Sequence, residues 1–403
     1  MDRSCDVLVV GAGPAGSAAA VTAQRRGLDV VVVDKASFPR DKTCGDGLTA
    51  NALRLLEHLG LTLDALPSYQ HVGEVVVVSP SGRHIAMTLP DGGEYAAVVP
   101  RLELDNALVD LVAAAGIEVL QGSAVTNVEQ DDTVVVRLDD ARTIRARWVI
   151  AADGHYSTVR KLLGSARRSL GEWSAFRQYF RGVADRRLWV LFEPDMLPGY
   201  AWVFPLPDAR ANVGFALLRE EGVTGKVVAQ RWRELLDRPA MRAILGPDAV
   251  AEGPHRAWPI AGKVEALTHG RVLFAGDAAG VVDPMTGEGI AQALETGMLA
   301  AAAVASNGDV ARRYTRAVEQ HLVRDLRFAR FLRPALASSF TARAALRAVD
   351  GNEWTRSNFA RWMFEDYPRA VLLTPSRWHR GMLHGPGAYR SAGVSATPAR
   401  PGS

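Results

Sequence analysis

The residues best suited to chemistry near the start of the chain form a glycine-rich turn between two apolar runs. Gly11, Gly13 and Gly16 follow the spacing G-x-G-x-x-G, and Asp34 ends the second apolar run. In such a turn the first glycine permits a sharp bend, the second lets the backbone approach a pyrophosphate, and the third lets a helix pack closely. The helix N-terminus faces the phosphates, and the aspartate accepts hydrogen bonds from ribose hydroxyls. The pattern predicts a dinucleotide site; the alternative is a glycine-rich turn that binds nothing.

The elements that must position this turn are two strands and the helix between them. Residues 5–10 (CDVLVV) and 29–34 (DVVVVD) are short β-branched runs, typical of buried parallel strands. Residues 17–27 (SAAAVTAQRRG) have the pattern of a helix that ends at a glycine. This complete β-turn-α-β unit predicts a Rossmann-like domain.

The composition is that of a globular protein with two joined domains and an extension. The 403 residues are 48% apolar and 23% charged, with a formal net charge of +3. Cys5 and Cys44 cannot form a disulfide framework, and the start of the chain has no signal-peptide pattern. No apolar run reaches the roughly 18–20 residues that span a bilayer. We expect a cytoplasmic protein that acts as a monomer and binds no metal.

Two further motifs indicate which dinucleotide binds, through a resemblance. Residues 149–164 (VIAADGHYSTVRKLLG) and 271–297 (RVLFAGDAAGVVDPMTGEGIAQALETG) resemble the Asp-Gly and Gly-Asp motifs of p-hydroxybenzoate-hydroxylase-type flavoproteins. The resemblance implies that Asp277 bonds the ribityl chain of FAD and that Arg101 contacts the flavin side of the cofactor. It covers roughly residues 1–300 and implies FAD rather than NAD. The cofactor-binding residues that these motifs imply are Gly11, Gly13, Ala15, Gly16, Asp34, Lys35, Cys44, Gly45, Arg101, Val125, Asp153, Gly276, Asp277, Pro284, Gly287, Gly289 and Ile290.

The glycines of the second motif suit the flavin ring on physical grounds as well. Gly287 and Gly289 precede a helix that starts near Ile290, so free N–H groups would face the pyrimidine edge. A helix N-terminus stabilises the negative charge of reduced flavin. A plain helix-entry turn is the alternative. Because no second strand-G-x-G-x-x-G-helix unit exists in the sequence, we expect the reductant, NADPH or a reduced electron carrier, to visit transiently.

Two stretches resemble one branch of this superfamily, the geranylgeranyl reductases, which include lipid-saturating and menaquinone-reducing members. They are residues 38–49 (FPRDKTCGDGLT) and 199–216 (GYAWVFPLPDARANVGFA), the second with the Tyr-x-Trp-x-Phe-Pro signature and a later glycine. In that family the signature lines the cavity for an isoprenoid chain, and Gly199 and Gly214 would leave space for its tail. The substrate-binding residues implied are Gly47, Tyr200, Trp202, Phe204, Pro205 and Gly214.

The resemblance implies a reductase that saturates isolated C=C bonds of a polyprenyl lipid, quinone or isoprenoid diphosphate. Hydride would come from flavin N5, with the double bond held within about 3–3.5 Å. Cys44, Asp46, Tyr200 or an ordered water could give the proton, and the sequence does not choose among them. For Cys44 the alternative is a small apolar residue that packs a loop.

Three other activities compete with this interpretation. A halogenase is disfavoured, because its Trp-x-Trp-x-Ile-Pro signature is absent and none of the five lysines has a matching context. A flavin monooxygenase or dehydrogenase that tailors a hydrophobic secondary metabolite leaves little mark in a sequence and stays open. A non-redox flavoprotein cyclase is the third alternative.

The predicted fold is α/β: a Rossmann-like FAD-binding domain, an inserted antiparallel β-sheet substrate domain and a C-terminal helical region. The predicted boundaries are 1–170 plus 265–305 for the first domain, with a hairpin insertion near 72–90, then 171–264, 306–385 and a disordered tail at 386–403.

The helical region is rich in arginine. Residues 311–347 hold nine arginines against two acidic residues, mixed with Phe, Leu and Val. This composition suits an interfacial helix that faces anionic headgroups or a diphosphate at the inner face of the cell membrane. A solvated basic face is the alternative. No motif supports nucleic-acid binding.

Overall fold

The structure is a computed structural model that describes residues 3–166, 171–219, 225–373 and 385–390. Its strands, in chain order, are β1 (Arg3–Val10), β2 (Val30–Asp34), β3 (Gly47–Thr49), β4 (Gln70–His71), β5 (Glu74–Val78), β6 (His84–Thr88), β7 (Ala96–Val98), β8 (Glu118–Gln121), β9 (Val125–Gln130), β10 (Val134–Leu138), β11 (Thr143–Ala151), β12 (Trp173–Arg181), β13 (Leu188–Leu191), β14 (Tyr200–Leu206), β15 (Arg210–Leu218), β16 (Val250–Ile260), β17 (Thr268–His269) and β18 (Val272–Phe274). Its α-helices are α1 (Pro14–Gln24), α2 (Ala50–Leu59), α3 (Arg101–Ala114), α4 (Thr158–Leu162), α5 (Gly225–Asp237), α6 (Pro239–Leu245), α7 (Ile290–Val304), α8 (Val310–Val318), α9 (Arg324–Leu332), α10 (Ser339–Val349) and α11 (Glu353–Met363).

The first sheet is the nucleotide-binding core. Its main order is β17-β18-β11-β1-β2-β8, and β10 pairs with both β11 and β9. The pairs that β1 makes with β2 and β11 are parallel, as are β2 with β8 and β11 with β18. Residues 7–10 of β1 and 30–33 of β2 are all apolar, because helices α1, α3 and α7 and neighbouring elements bury both faces there. The predicted Rossmann-like α/β architecture is confirmed.

The second sheet has the order β16-β12-β15-β14-β13-β5-β6. All of its pairs are antiparallel except β13 with β5, where Leu188 pairs with Val75. The predicted hairpin near 72–90 therefore exists as β5 and β6, but it belongs to this sheet and not to the nucleotide-binding sheet. Its partner strand β13 lies more than a hundred residues later in the sequence than β5. A small third sheet has the strand order β3-β7-β4, and both of its strand pairs are antiparallel.

From α8 onward the chain consists of helices and short helical turns, as far as the 3-10 turn Arg369–Leu373. Pro334 lies in the 3-10 turn Arg333–Leu336 that follows α9, where a proline ends the helix. A π-helical turn, Glu319–Val323, joins α8 to α9. Within the described ranges no helix combines the length and hydropathy that crossing a bilayer requires.

The segment predicted as a tail begins with ordered contacts. Ala388 pairs with Glu94, and the hydroxyl of Tyr389 donates to Leu61 O at 2.9 Å. Both Ala388 and Tyr389 are buried. The disordered tail is therefore wrong for residues 386–390, where an aromatic side chain fills a gap beside α2; residues 391–403 lie outside the described chain.

Candidate active site

The glycine-rich turn has the geometry that a bound pyrophosphate needs. Gly11 has a φ of 100°, and a Cβ there would lie 2.4 Å from Ala152 O. A Cβ on Gly16 would lie 1.7 Å from Gly11 O, so only glycine allows α1 to start so close to the turn. Gly13 is the N-cap of α1 and supplies no side-chain acceptor to its N–H groups. These groups are thus available to an anionic ligand.

Three of the predicted cofactor-binding residues, Asp34, Lys35 and Val125, line one cavity. Asp34 ends β2, and its two carboxylate oxygens accept from Ala12 N at 2.7 Å and Ala36 N at 2.8 Å. Lys35 is exposed, Val125 is buried on β9, and both line the cavity with Asp34. The two backbone donors hold the Asp34 carboxylate in place at the cavity wall.

Asp153 offers a direct test of whether a ligand fits. Its Oδ2 accepts from Val159 N at 3.0 Å, whereas its buried Oδ1 has no hydrogen-bond partner among the described residues. Burial raises the pKa of this carboxyl. A buried acceptor in the wall of the cavity suits a ligand that carries a hydroxyl or N–H donor. Across the cavity a Cβ on Gly276 would lie 3.0 Å from the Cβ of Ala15, so the glycine keeps this passage open.

Asp277 follows β18 in a short 3-10 turn and lines the cavity. Its Oδ2 lies 2.9 Å from Nζ of Lys42. Although burial opposes the charged form, the Lys42 ammonium holds the pKa of Asp277 below its usual value. The carboxylate therefore stays ionised and can accept hydrogen bonds from a polyol chain such as that of FAD.

The turn before α7 is a rigid cradle. Asp283 Oδ1 accepts from the N–H groups of Met285 and Thr286, and Gly287 has a φ of 72°. Gly287, Gly289 and Ile290 line the cavity. Pro284 does not line it: this residue is buried, and its Cβ would lie 3.1 Å from a Cβ on Gly262. Pro284 packs against Gly262, so its predicted contact with the flavin stays a prediction.

Asp46 anchors the loop that carries Cys44. It is fully buried with a φ of 64°. Its carboxylate accepts from Arg101 N at 3.3 Å, the Tyr179 hydroxyl at 2.5 Å and Asn212 Nδ2 at 2.8 Å. Burial raises its pKa to about 6 against these donors. Because three donors occupy the carboxylate, its evident task is to fix the loop.

Cys44 and Arg101 lie side by side in the cavity wall. Burial raises the pKa of the Cys44 thiol, so the thiol stays neutral near pH 7. The guanidinium of Arg101 forms two hydrogen bonds to Asp105, at 2.7 and 2.8 Å, and Arg40 adds a second ion pair to Asp105 at 3.0 Å. This buried network holds the N-terminus of α3 against the cavity.

The aromatic signature lies on β14 and faces the loop around Cys44. The rings of Tyr200 and Trp202 are 6.0 Å apart, as are those of Trp202 and Phe204, and all three line the cavity. A Cβ on Gly45 would lie 3.4 Å from Phe204, and one on Gly47 only 3.1 Å. The glycines thus let the loop approach the aromatic wall, and both line the cavity.

Two predicted substrate residues do not contact the cavity. Pro205 is buried within β14 and pairs with Ala211. A Cβ on Gly214 would lie 2.4 Å from Cζ2 of Trp202, so the space at Gly214 is filled by the indole and not left for a lipid tail. Both glycine and indole nevertheless shape the wall, since the indole N–H donates to Asn212 Oδ1 at 3.0 Å.

One cavity of about 730 Å³ joins these features. Its lining includes the glycine-rich turn together with Asp34, Lys35 and Val125. It is also lined by apolar side chains of the C-terminal helical region, among them Leu332, Leu336, Leu346, Val349, Phe359 and Met363. The Cys44 loop and the aromatic strand line the same space. The arrangement fits a dinucleotide together with a long apolar molecule.

Sequence reasoning missed the partners that hold the site together. Of these, only Asp105 left a signal, because it lies four residues after Arg101 on a helix. Lys42, Tyr179 and Asn212 contact their partners across 133 or more residues of sequence separation. Such contacts exist only once segments that are distant in sequence have packed together.

Comparisons with known proteins agree with this geometry. Residues 4–307 match the family described as an FAD binding domain. The chain is 35% identical to a menaquinone reductase of Mycolicibacterium smegmatis over 357 residues, 82% of this chain and 84% of that protein. It is 33% identical to digeranylgeranylglycerophospholipid reductase 1 of Methanopyrus kandleri over 312 residues, 73% of this chain and 79% of that one.

A solved structure shares the fold. The geranylgeranyl bacteriochlorophyll reductase-like protein of Thermoplasma acidophilum superposes with a TM-score of 0.78 at 23% identity, covering 93% of this chain and all of the other. The matched FAD binding domain includes the glycine-rich turn, Asp153 and Asp277, whose geometry fits FAD. The chain therefore belongs to the geranylgeranyl reductase family of FAD-dependent oxidoreductases, which includes menaquinone reductases.

Proposed function

We propose that this protein saturates isolated C=C bonds in the polyprenyl chain of a lipid, quinone or isoprenoid diphosphate. The observation that carries the proposal is the single cavity in which dinucleotide-binding residues and an apolar lining meet. A polyprenyl chain is long, flexible and apolar, so burying it along Leu336, Leu346 and Phe359 is favourable. The reductase names of the two sequence relatives support the same substrate class.

Bound FAD, when reduced, supplies a hydride equivalent at N5. The chain must hold the alkene against that atom and exclude water. The Asp46 anchor fixes the Cys44 loop on one side, and Trp202 and Phe204 form a rigid wall beside it. Together these groups can confine a double bond to one orientation, which is the main contribution that positioning makes to rate.

The predicted catalytic residues differ in what their surroundings allow. The Tyr200 hydroxyl donates a hydrogen bond to Thr286 O, and burial raises the pKa of Tyr200. Tyr200 is therefore suited to positioning the turn that contains Thr286. The Cys44 thiol is neutral and lies in the cavity wall, where we propose that it contacts substrate or flavin. Asp46 supports Cys44 through the loop that carries both residues.

We propose NADPH or a reduced electron carrier as the reductant. Because the sequence holds no second dinucleotide unit, the donor would dock only for the time of electron transfer. NADPH oxidation by the holoenzyme without substrate, followed as loss of absorbance, tests this part; reduction only by a protein carrier would exclude NADPH.

We also propose peripheral contact with an anionic membrane, through the surface formed by α9, α10 and the turn between them. Phe331 and Phe340 are each 74% exposed, and Arg327, Arg343 and Arg347 are exposed near them in the chain. Leu332 and Leu336 of the same stretch line the cavity. A polyprenyl lipid could thus pass from bilayer to cavity without crossing water.

The test of the reaction is the mass of the product. The holoenzyme is reduced with dithionite without oxygen and mixed with geranylgeranyl diphosphate or a menaquinone. We expect a gain of two hydrogen masses per reduced bond, lost in Asp277→Ala and weakened in Cys44→Ala. A gain of one oxygen atom, only with oxygen and NADPH present, would instead assign a monooxygenase. Turnover with the flavin oxidised throughout would assign a non-redox cyclase.

A further inference from the structure

A cluster of buried carboxyl groups lies behind the turn that precedes α7. It consists of Asp283 and Glu288 of the turn and Glu365, which follows α11. Arg369 contacts the cluster, with its Nε 3.3 Å from Asp283 Oδ2 and its Nη2 3.7 Å from Glu365 Oε1. Thr49 and Gln292 donate to the two oxygens of Glu365 at 3.1 and 2.8 Å.

Glu288 is the member of this cluster that lines the cavity. Its Oε1 accepts from Ile290 N at 2.9 Å, so the side chain lies at the N-terminus of α7, the end that faces the cavity. The titratable and charged groups that face it come from four places: Asp283 of its own turn, Cys44 of the loop before β3, Tyr200 of β14, and Glu365, which is paired with Arg369.

The charge balance of the cluster favours a bound proton near neutral pH. Within the described residues, three carboxyl groups share the one guanidinium of Arg369. Burial raises the pKa of Glu288 to about 7 and that of Glu365 to about 8. For Glu288 desolvation is the largest cause and the charge of Asp283 acts in the same direction, whereas the backbone N–H groups at the start of α7 oppose the shift without cancelling it. A carboxylic acid that keeps its proton at neutral pH beside a cavity is suited to general acid catalysis.

The other groups proposed for proton transfer are less suited. The carboxylate of Asp46 is surrounded by three donors, and the hydroxyl of Tyr200 already donates to Thr286 O. The thiol of Cys44 is a weaker acid than a carboxyl group, and burial raises its pKa further. Glu288 has both access to the cavity and a second protonated carboxyl in its cluster.

From this geometry we infer that Glu288 is the catalytic residue that gives the alkene its proton. One alkene carbon receives hydride from reduced FAD, which becomes oxidised, and the other carbon receives the proton of the Glu288 carboxyl. The resulting carboxylate is reprotonated by solvent after product leaves. This role rests on the proposed alkene reduction.

A first experiment needs no substrate. The midpoint potential of bound FAD is measured by spectroelectrochemistry from about pH 6 to about pH 9 in wild type, Glu288→Gln and the exposed control Glu319→Gln. Reduced flavin adds negative charge, so we expect Glu288 to bind a proton as FAD is reduced. The potential of wild type and of the control should then fall more steeply with pH than that of Glu288→Gln. Equal slopes in all three would overturn the assignment.

A second experiment measures one turnover. Dithionite-reduced enzymes are mixed with geranylgeranyl diphosphate without oxygen, and flavin reoxidation is followed. We expect Glu288→Gln to be slower by about 100-fold or more and Glu288→Asp to recover part of the rate. The FAD absorbance of each variant confirms a loaded fold. A Glu288→Gln rate within about two-fold of wild type overturns the role of Glu288, whereas no turnover by wild type itself refutes the proposed reaction.

Discussion

Replacing Arg369 by methionine tests whether the carboxyl cluster depends on this one cation. Arg369 is 3% exposed and pairs with Asp283 and Glu365. It also donates to Trp362 O at 2.8 Å and to Met363 O at 3.1 Å. Methionine keeps similar length and apolar bulk, so the main loss is that of the charge and the donors.

The expected cost has two parts with different pH dependence. Removing one partner of a buried ion pair costs about 3–5 kcal/mol, because the remaining charge is buried and unpaired. The two carbonyl groups lose hydrogen bonds worth about 1 kcal/mol each at any pH. We therefore expect a loss of unfolding free energy of about 5–7 kcal/mol near pH 9, shrinking to about 2 kcal/mol near pH 6, where the cluster can bind protons.

The direction of the pH effect follows from Glu365. Its pKa in the folded protein is about 8, above its ordinary value of 4.5. A carboxyl whose pKa is raised on folding contributes most stability below its unfolded pKa, and that contribution is lost as pH rises through about 8. Removing Arg369 strengthens this dependence, so the variant should be least stable at alkaline pH.

Urea unfolding, followed by tryptophan fluorescence and circular dichroism at both pH values, measures these losses. The two probes must coincide for the free energies to be meaningful. Arg333→Met is the matched control, because Arg333 pairs with Glu172 in a partly exposed site and should lose about 1 kcal/mol or less. An Arg369→Met loss that is the same at both pH values would refute the view that uncompensated carboxylates cause it.

Three further predictions concern the cavity wall and the surface. Gly214→Ala places a Cβ 2.4 Å from the Trp202 ring, so we expect a loss of about 1–3 kcal/mol in unfolding free energy, and an unchanged melting temperature would contradict the tight packing. Phe331→Ala with Phe340→Ala should weaken sedimentation with phosphatidylglycerol vesicles but leave FAD loading intact; equal binding by the double variant would locate the membrane contact elsewhere. The raised pKa of Cys44 predicts that iodoacetamide alkylates it more slowly than a free thiol at pH 8, and faster as the pH rises; mass spectrometry that shows rapid modification at pH 8 would contradict a neutral thiol.

The cofactor site and the family could be read from the sequence because they depend on local patterns. The turn at Gly11 needs a positive φ that glycine adopts without strain, and the close start of α1 needs Gly16. Both requirements fix the spacing of the glycines, which can be recognised in the sequence alone. The aromatic signature Tyr200, Trp202 and Phe204 is similar, since alternate residues of a strand share one face.

The contacts that complete the site were decided only by the tertiary structure. Nothing in residues 74–88 indicates that this hairpin pairs with β13 and not with a strand of the nucleotide-binding sheet. Pro284 and Gly214 belong to family motifs, yet Pro284 packs against Gly262 and Gly214 makes room for an indole. Side-chain direction and free volume depend on neighbours that are distant in sequence.

The acid–base properties show the same division. The sequence contains Glu288 within a glycine-rich turn, but it does not contain the proximity of Glu365 and Arg369, which lie about eighty residues later. A carboxyl group in water keeps its ordinary pKa; for Glu288 and Glu365 burial raises it, and the neighbouring carboxyl groups raise it further. The sequence alone thus determined which cofactor the protein binds and which family it belongs to. The packing of the C-terminal region against the turn before α7 decided which carboxyl groups can hold a proton. Desolvation and charge interactions exist only between groups that folding has brought together.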